Sequence, residues 1–146
     1  MFRCQRNRQG FESPCLLTYI RRPSMRPSWD EYFFSLAQLV SSRATCPRLS
    51  VGSVLVKNKR VIGMGYNGAR DGEPECVDVG CAIVYNHCKR ARHSEVNAII
   101  NAQGNVYGAT LYATHDPCND CRRELDKVGI TDIRFIEPKR PSDSTS

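Results

Sequence analysis

The chain has 146 residues, 40% of them hydrophobic, and a formal charge of +6. That size suits one domain with its own core and leaves little room for two. No apolar run approaches the roughly 18 residues of a membrane span, and no apolar secretory segment opens the chain, which gives the expectation of a soluble cytoplasmic protein with no membrane partner. The charge is uneven: residues 1–27 hold six arginines against one acid, Glu12, for +5, and the rest of the chain carries +1. A basic segment on a near-neutral body is only a weak sign of a nucleic-acid-binding face, whose footprint would be a patch on the folded domain. Eight cysteines are present. Five of them (Cys76, Cys81, Cys88, Cys118 and Cys121) sit in clusters near histidines with no secretory signal, so reduced, metal-binding thiolates are expected rather than disulfides.

Residues 1–27 mix Arg, Gln, Pro and Ser around one apolar patch and read as a basic, poorly ordered N-terminal extension. Their acid-poor character also suits an organellar targeting peptide, and Met25, just before the first strong helix signal, suits a chain start. A domain over 28–137 and a polar tail over 138–146 follow. Ser28 to Glu31 offers a capping box, and Trp29, Phe33, Leu36 and Val40 mark one buried helical stripe through about Ser42. The β-branched runs Val51–Val56 and Val61–Met64 flank a polar turn and predict a β-hairpin. The stretch from Asn67 to Arg92 is unusually long for a loop in a compact domain, so it is either functional or held by something other than a core. Helical spacing returns after His93 and ends near Gly104. Strand character covers Ala109–Thr114, Pro117 fits the first turn of a helix closed by Gly129, and Asp132–Ile136 is a last strand. The order is that of an α/β domain whose last two strands, joined through a helix, are parallel.

Two short stretches carry chemistry: His93-Ser94-Glu95 and Pro117-Cys118-Asn119-Asp120-Cys121. Cys118 and Cys121, three apart at a helix start, fall on one face and can grip one metal ion, with His93 as third ligand. Three protein ligands leave a fourth tetrahedral position for water, the pattern of a catalytic zinc site. Both helix N-termini would point at the site, where their dipoles favour negative charge. Glu95, two residues beyond the histidine, can reach the water without ligating the metal and would move its proton. H-x-E with P-C-x-x-C is the known signature of zinc nucleobase deaminases.

With those motifs the chain resembles the cytidine deaminase superfamily, and within it the deoxycytidylate deaminases, over roughly residues 27–137. The closer match rests on Arg26 to Tyr32, Thr45-Cys46-Pro47-Arg48, Gly65-Tyr66-Asn67-Gly68, the cysteine-bearing loop, Gly108 to Tyr112 and Pro117 to Cys121. The resemblance implies a three-layer fold, a mixed central sheet of four to five strands with helices on both faces. It also implies zinc-dependent hydrolysis of dCMP to dUMP, with Glu95 shuttling the proton to N3 of the base and then to the leaving ammonia. By the same analogy Asn67 contacts the sugar or an effector, and Arg48, a guanidinium fork, is the candidate for the substrate phosphate. Cys46, Cys76, Cys81, His87 and Cys88 offer five candidates for four positions of a second, structural zinc, with Cys46, Cys76 and Cys88 joined by either Cys81 or His87. A homo-oligomer, such as a hexamer, and regulation by dCTP and dTTP follow from the resemblance as further expectations.

The chain departs from the family pattern at Ser94, where alanine is typical, and at Arg70, where proline is common. It also stops soon after Ile136, where longer members continue with a helix and a strand. Two other readings stand beside dCMP deamination: a deaminase acting on another base or on nucleic acid, such as tRNA adenosine or single-stranded DNA cytosine, and a zinc-stabilised binding module. Glu95 separates the last from the rest, because a structural site has no use for it.

Overall fold

The computed structural model describes residues 26–137. The expectations placed on residues 1–25, Met25 among them, and on the 138–146 tail lie outside the described residues. Ser28 opens α1 (Trp29–Ser41) through the expected capping box. Its hydroxyl accepts the Glu31 N–H at 3.2 Å, while Glu31 Oε2 accepts the Ser28 N–H at 2.7 Å, so two orphaned donors are satisfied reciprocally. The buried face of α1 runs through Phe33 and Ala37, with Leu36 and Val40 half-buried. Trp29 departs from the expected stripe: it is 45% exposed in the first turn, its ring stacked on Phe33 at 5.7 Å and covered by the Lys59 ammonium.

Strands β1 (Gly52–Lys57) and β2 (Arg60–Tyr66) form the predicted hairpin. Its turn residues Asn58 and Lys59 have φ of 51° and 60°, the left-handed pair that lets a tight turn match the strand twist. The stretch after β2 is not a featureless loop. It contains a single helical turn, α2 (Cys76–Val79), and two paired two-residue strands, β3 (Ile83–Val84) and β4 (His87–Cys88). A Gly68–Arg92 bridge closes its base, and the Glu75 carboxylate accepts from the Thr45 hydroxyl and the Ala69 N–H. Helix α3 (Ser94–Ile100), strand β5 (Thr110–His115), helix α4 (Asn119–Lys127) and strand β6 (Asp132–Glu137) complete the order. Helix α3 is shorter than expected, its Asn101 N–H closing on Asn97 and Ile99 carbonyls.

Among the described residues the main sheet has four strands in the order β2-β1-β5-β6, antiparallel except for the β5–β6 pair, which is parallel as predicted. Successive side chains point to opposite faces of a strand, so β1 and β5 feed two cores. Leu55, Leu111 and Ala113 pack with Ala98 of α3, Leu125 of α4 and Ile130, while Val54, Val56 and Tyr112 pack with Phe33 and Ala37 of α1. The result is three layers with helices on both faces. Two glycines set how closely α3 lies on β2: a Cβ at Gly65 would stand 2.3 Å from Ser94 O and from Ala98 N, and one at Gly63 would stand 2.5 Å from Ala98 O. No helix among the described residues is long and apolar enough to cross a membrane.

Candidate active site and metal centre

His93 and Cys118 are both N-cap residues, of α3 and α4. The close seat of α3 on β2 delivers the first, and the turn that follows the end of β5 delivers the second. Pro117 lies one residue before the cap rather than in the first turn of α4, because the Cys118 sulfur takes the capping role itself, accepting the Cys121 N–H at 3.5 Å. Cys121 then follows within the first turn of α4. His93 Nδ1 is 3.1 Å from Cys121 Sγ and 3.5 Å from Cys118 Sγ, and the three ligand atoms lie within 4.8 Å of one another. The hydrogen bond from Cys121, joined by those of His93 and the Cys121 backbone, holds the Cys118 thiol down at about 3, while the same pairing and burial push Cys121 up. His93 is raised, mainly by its hydrogen bond with Cys118. One imidazole nitrogen and two sulfurs fit the donor set of a zinc site.

Glu95 is 4% exposed, and burial pushes its carboxyl above the ordinary range, as desolvation of a carboxylate does. It shares a cavity of about 210 Å³ with His93, Cys118, Cys46, Arg48, Asn67, His87 and Cys88. Sequence reasoning did not single out the other walls: Leu49, Val51, Asn86, Ala91, His115 and Asp116. Only Asp116, beside Pro117-Cys118, carried a signal, its nearness in sequence to the motif. Its carboxylate is paired with Arg122. Asn86 enters through the β3–β4 turn, where Tyr85 and Asn86 have φ of 49° and 63°, and Arg48 Nη1 donates to its carbonyl at 3.2 Å. Asn67 faces the same cavity with both ends of its amide engaged: Nδ2 donates to Leu49 O at 2.6 Å, and Oδ1 accepts the Val51 N–H at 2.8 Å. That amide holds the 49–51 segment in place.

Cys76, Cys81 and Cys88 form a second group with sulfurs within 4.8 Å of one another. Cys46 stands close enough for its charge to add to the upward push that burial gives the Cys81 thiol. His87 is outside this group and lines the main cavity instead.

Residues 27–137 match the family described as the cytidine and deoxycytidylate deaminase zinc-binding region. The chain belongs to that deaminase family. It is 41% identical over 115 residues to ComE operon protein 2 of Bacillus subtilis, covering 77% of this chain and 61% of that protein. It is 37% identical over 126 residues to the deoxycytidylate deaminase of Mycobacterium phage D29, covering 78% of this chain and 97% of the phage enzyme. Of the yeast (Saccharomyces cerevisiae) deoxycytidylate deaminase, 36% identical, it spans only 40%. The crystal structure of a dCMP deaminase from cyanophage S-TIM5, in complex with dCMP and dUMP, superposes with a TM-score of 0.69 at 27% identity, covering 82% of this chain and 88% of the phage chain. The mixed four-stranded sheet between helices is thus the deaminase-family fold, and the His/Cys/Cys cluster falls inside the family's zinc-binding region.

Proposed function

We propose that this deaminase converts dCMP and water to dUMP and ammonia, in a body that corresponds to residues 28–137. The observation that carries the reading is Glu95: a buried carboxyl with raised proton affinity, lining the same cavity as His93 and Cys118, two of the three members of the His93, Cys118 and Cys121 cluster. A structural metal site has no need of such a group. When bound by those three residues, zinc supplies the Lewis acidity that lets water lose a proton near neutral pH. Glu95 takes that proton on its carboxylate and delivers it to N3 of the pyrimidine as the water oxygen bonds to C4, then takes the proton left on that oxygen and passes it to the amine as the C4–N bond breaks and ammonia leaves. Arg48, at the rim and tethered to Asn86, is the group for the 5′-phosphate, since a guanidinium matches phosphate oxygens in pairs. Asn67 acts one step back, by holding the 49–51 wall against which the sugar would rest.

A second zinc on Cys76, Cys81 and Cys88, with Cys46 as fourth ligand, is part of the same proposal. It would order a segment that has little apolar core beneath it. Assembly into a homo-oligomer, control by dCTP and dTTP, and a cytoplasmic location complete the reading. The oligomer and the effectors rest on the family resemblance. The deciding assay offers the purified protein dCMP, cytidine and a deoxycytidine oligonucleotide and follows ammonia and deaminated product. The expected substrate is dCMP; turnover of the oligonucleotide alone would overturn the choice.

A further inference from the structure

The departure from the family pattern at residue 94 has a partner on the neighbouring strand. Ser94 and Ser53 are both completely buried. Ser53 shares the face of β1 that carries Leu55, the face on which α3 lies, and its Oγ stands 2.7 Å from Ser94 Oγ. Ser94 Oγ in turn donates to Glu95 Oε2 at 3.1 Å. A hydroxyl has one proton to give. Because Ser94 commits its own to the carboxylate, the bond between the two serines must run from Ser53 to Ser94. A directed chain results, Ser53 to Ser94 to Glu95 Oε2.

We propose that Ser94 is a positioning residue for the deamination step and that Ser53 fixes its orientation, so that Glu95 carries the shuttled proton on Oε1. The chain serves both states of the carboxyl only if Oε2 remains an acceptor throughout. A proton placed on Oε2 would oppose the Ser94 hydroxyl and force both serines to turn in a space with no exposed surface. The two oxygens of Glu95 are therefore not equivalent, and one rotational state of the carboxyl is held ready for the transfer. A transfer distance held in place raises the rate of the chemical step without tightening the substrate.

This inference rests on Glu95 being the proton carrier, and the experiment separates the two. Ser94→Ala, Ser53→Ala, the double variant and Glu95→Gln are compared for kcat, KM and solvent deuterium isotope effect on dCMP, with zinc content and thermal midpoint measured on each. Ser94→Ala is expected to lower kcat about tenfold, with KM within about twofold, as loss of a hydrogen bond to a charged group that acts in the transition state would do. Ser53→Ala is expected to lower kcat by a smaller factor, about threefold. The double variant should be no slower than Ser94→Ala, since Ser53 acts only through Ser94, and the isotope effect should change in both single variants. An unchanged kcat in Ser94→Ala, or losses that multiply in the double variant, would overturn the positioning role while an inactive Glu95→Gln left the proposed function standing. Turnover retained by Glu95→Gln would instead remove the reading beneath it.

Discussion

Glu95 shows how one residue acquires a task from its surroundings. In water its carboxyl would be ionised at neutral pH; here burial raises its proton affinity, while Cys121 and the Ser94 hydroxyl crowd it. A carboxyl with raised proton affinity holds a proton more readily than one in water, which is the direction general acid–base transfer needs. Glu95→Gln keeps the shape and removes the proton carrier. It is expected to lower kcat by about 10² to 10⁴ and to leave zinc bound, which atomic absorption on the purified variant would check. Arg48 presents the opposite case, an exposed side chain whose proposed role is binding alone. Arg48→Ala should raise KM for dCMP and change kcat little, whereas deamination of cytidine, which lacks the phosphate, should be unaffected; equal losses on both substrates would count against a phosphate contact.

At the scale of elements, the site depends on how α3 is laid on the sheet. Gly63 and Gly65 leave no Cβ between β2 and the α3 backbone, so His93, Ser94 and Glu95 come down close to the strands. Gly65→Ala must push the helix away or bend the strand. A loss of about 1–3 kcal/mol is expected from such overpacking, read from chemical denaturation, together with reduced turnover because the helix carries the ligand and the carboxyl as one unit. On the other face, Tyr112 ties three elements together: its hydroxyl donates to Asp30 of α1 at 2.6 Å, and Arg134 of β6 donates to the same Asp30 oxygen at 2.7 Å. Burial, with the Asp30 acceptor, pushes the Tyr112 phenol up to about 12. The folded state therefore holds that proton more tightly than the unfolded chain. Its contribution is fully present below pH about 10, the ordinary phenol value, and is lost as pH rises through about 12. Tyr112→Phe should flatten the difference in thermal midpoint between pH 9 and pH 11 relative to the parent protein; an unchanged slope would show that this phenol does not control alkaline stability.

For the molecule as a whole, the segment from Asn67 to Arg92 joins the two cysteine groups. It carries Cys76, Cys81 and Cys88 at one end and presents Asn86, His87 and Cys88 to the main cavity. Its apolar residues Val77, Val79, Ile83, Val84 and Tyr85 are exposed, so its order must come from backbone bonds, the Glu75 clamp and the thiols. Two zinc ions per chain are expected by elemental analysis. Cys81→Ser should lose one of them and raise KM for dCMP more than it lowers kcat, because the wall moves while Glu95 and its three neighbours stay. A single zinc per chain in the parent protein would refute the second site.

The signals in the chain were sufficient for the Ser28 capping box, the β1–β2 hairpin, the parallel β5–β6 pair and the grouping of His93, Cys118 and Cys121. The capping box and the hairpin depend on spacing within one or two adjacent elements, which backbone geometry turns into local structure, whereas His93 was joined to Cys118 and Cys121, 25 and 28 residues away, by a motif pattern rather than by local geometry. The choice of Cys81 over His87 beside Cys76 and Cys88, the commitment of the Asn67 amide to residues 49 and 51, and the entry of Asn86, His115 and Asp116 into the cavity were not legible. Those placements depend on how a coreless segment folds back over the sheet, and no periodicity records that. The bond between Ser53 and Ser94 was likewise invisible, since 41 residues separate the two. Sequence by itself determined which groups the chemistry can use; only the tertiary packing of α3 on β1 and β2 decided which oxygen of Glu95 is held, because that depends on a contact between two elements distant in the chain.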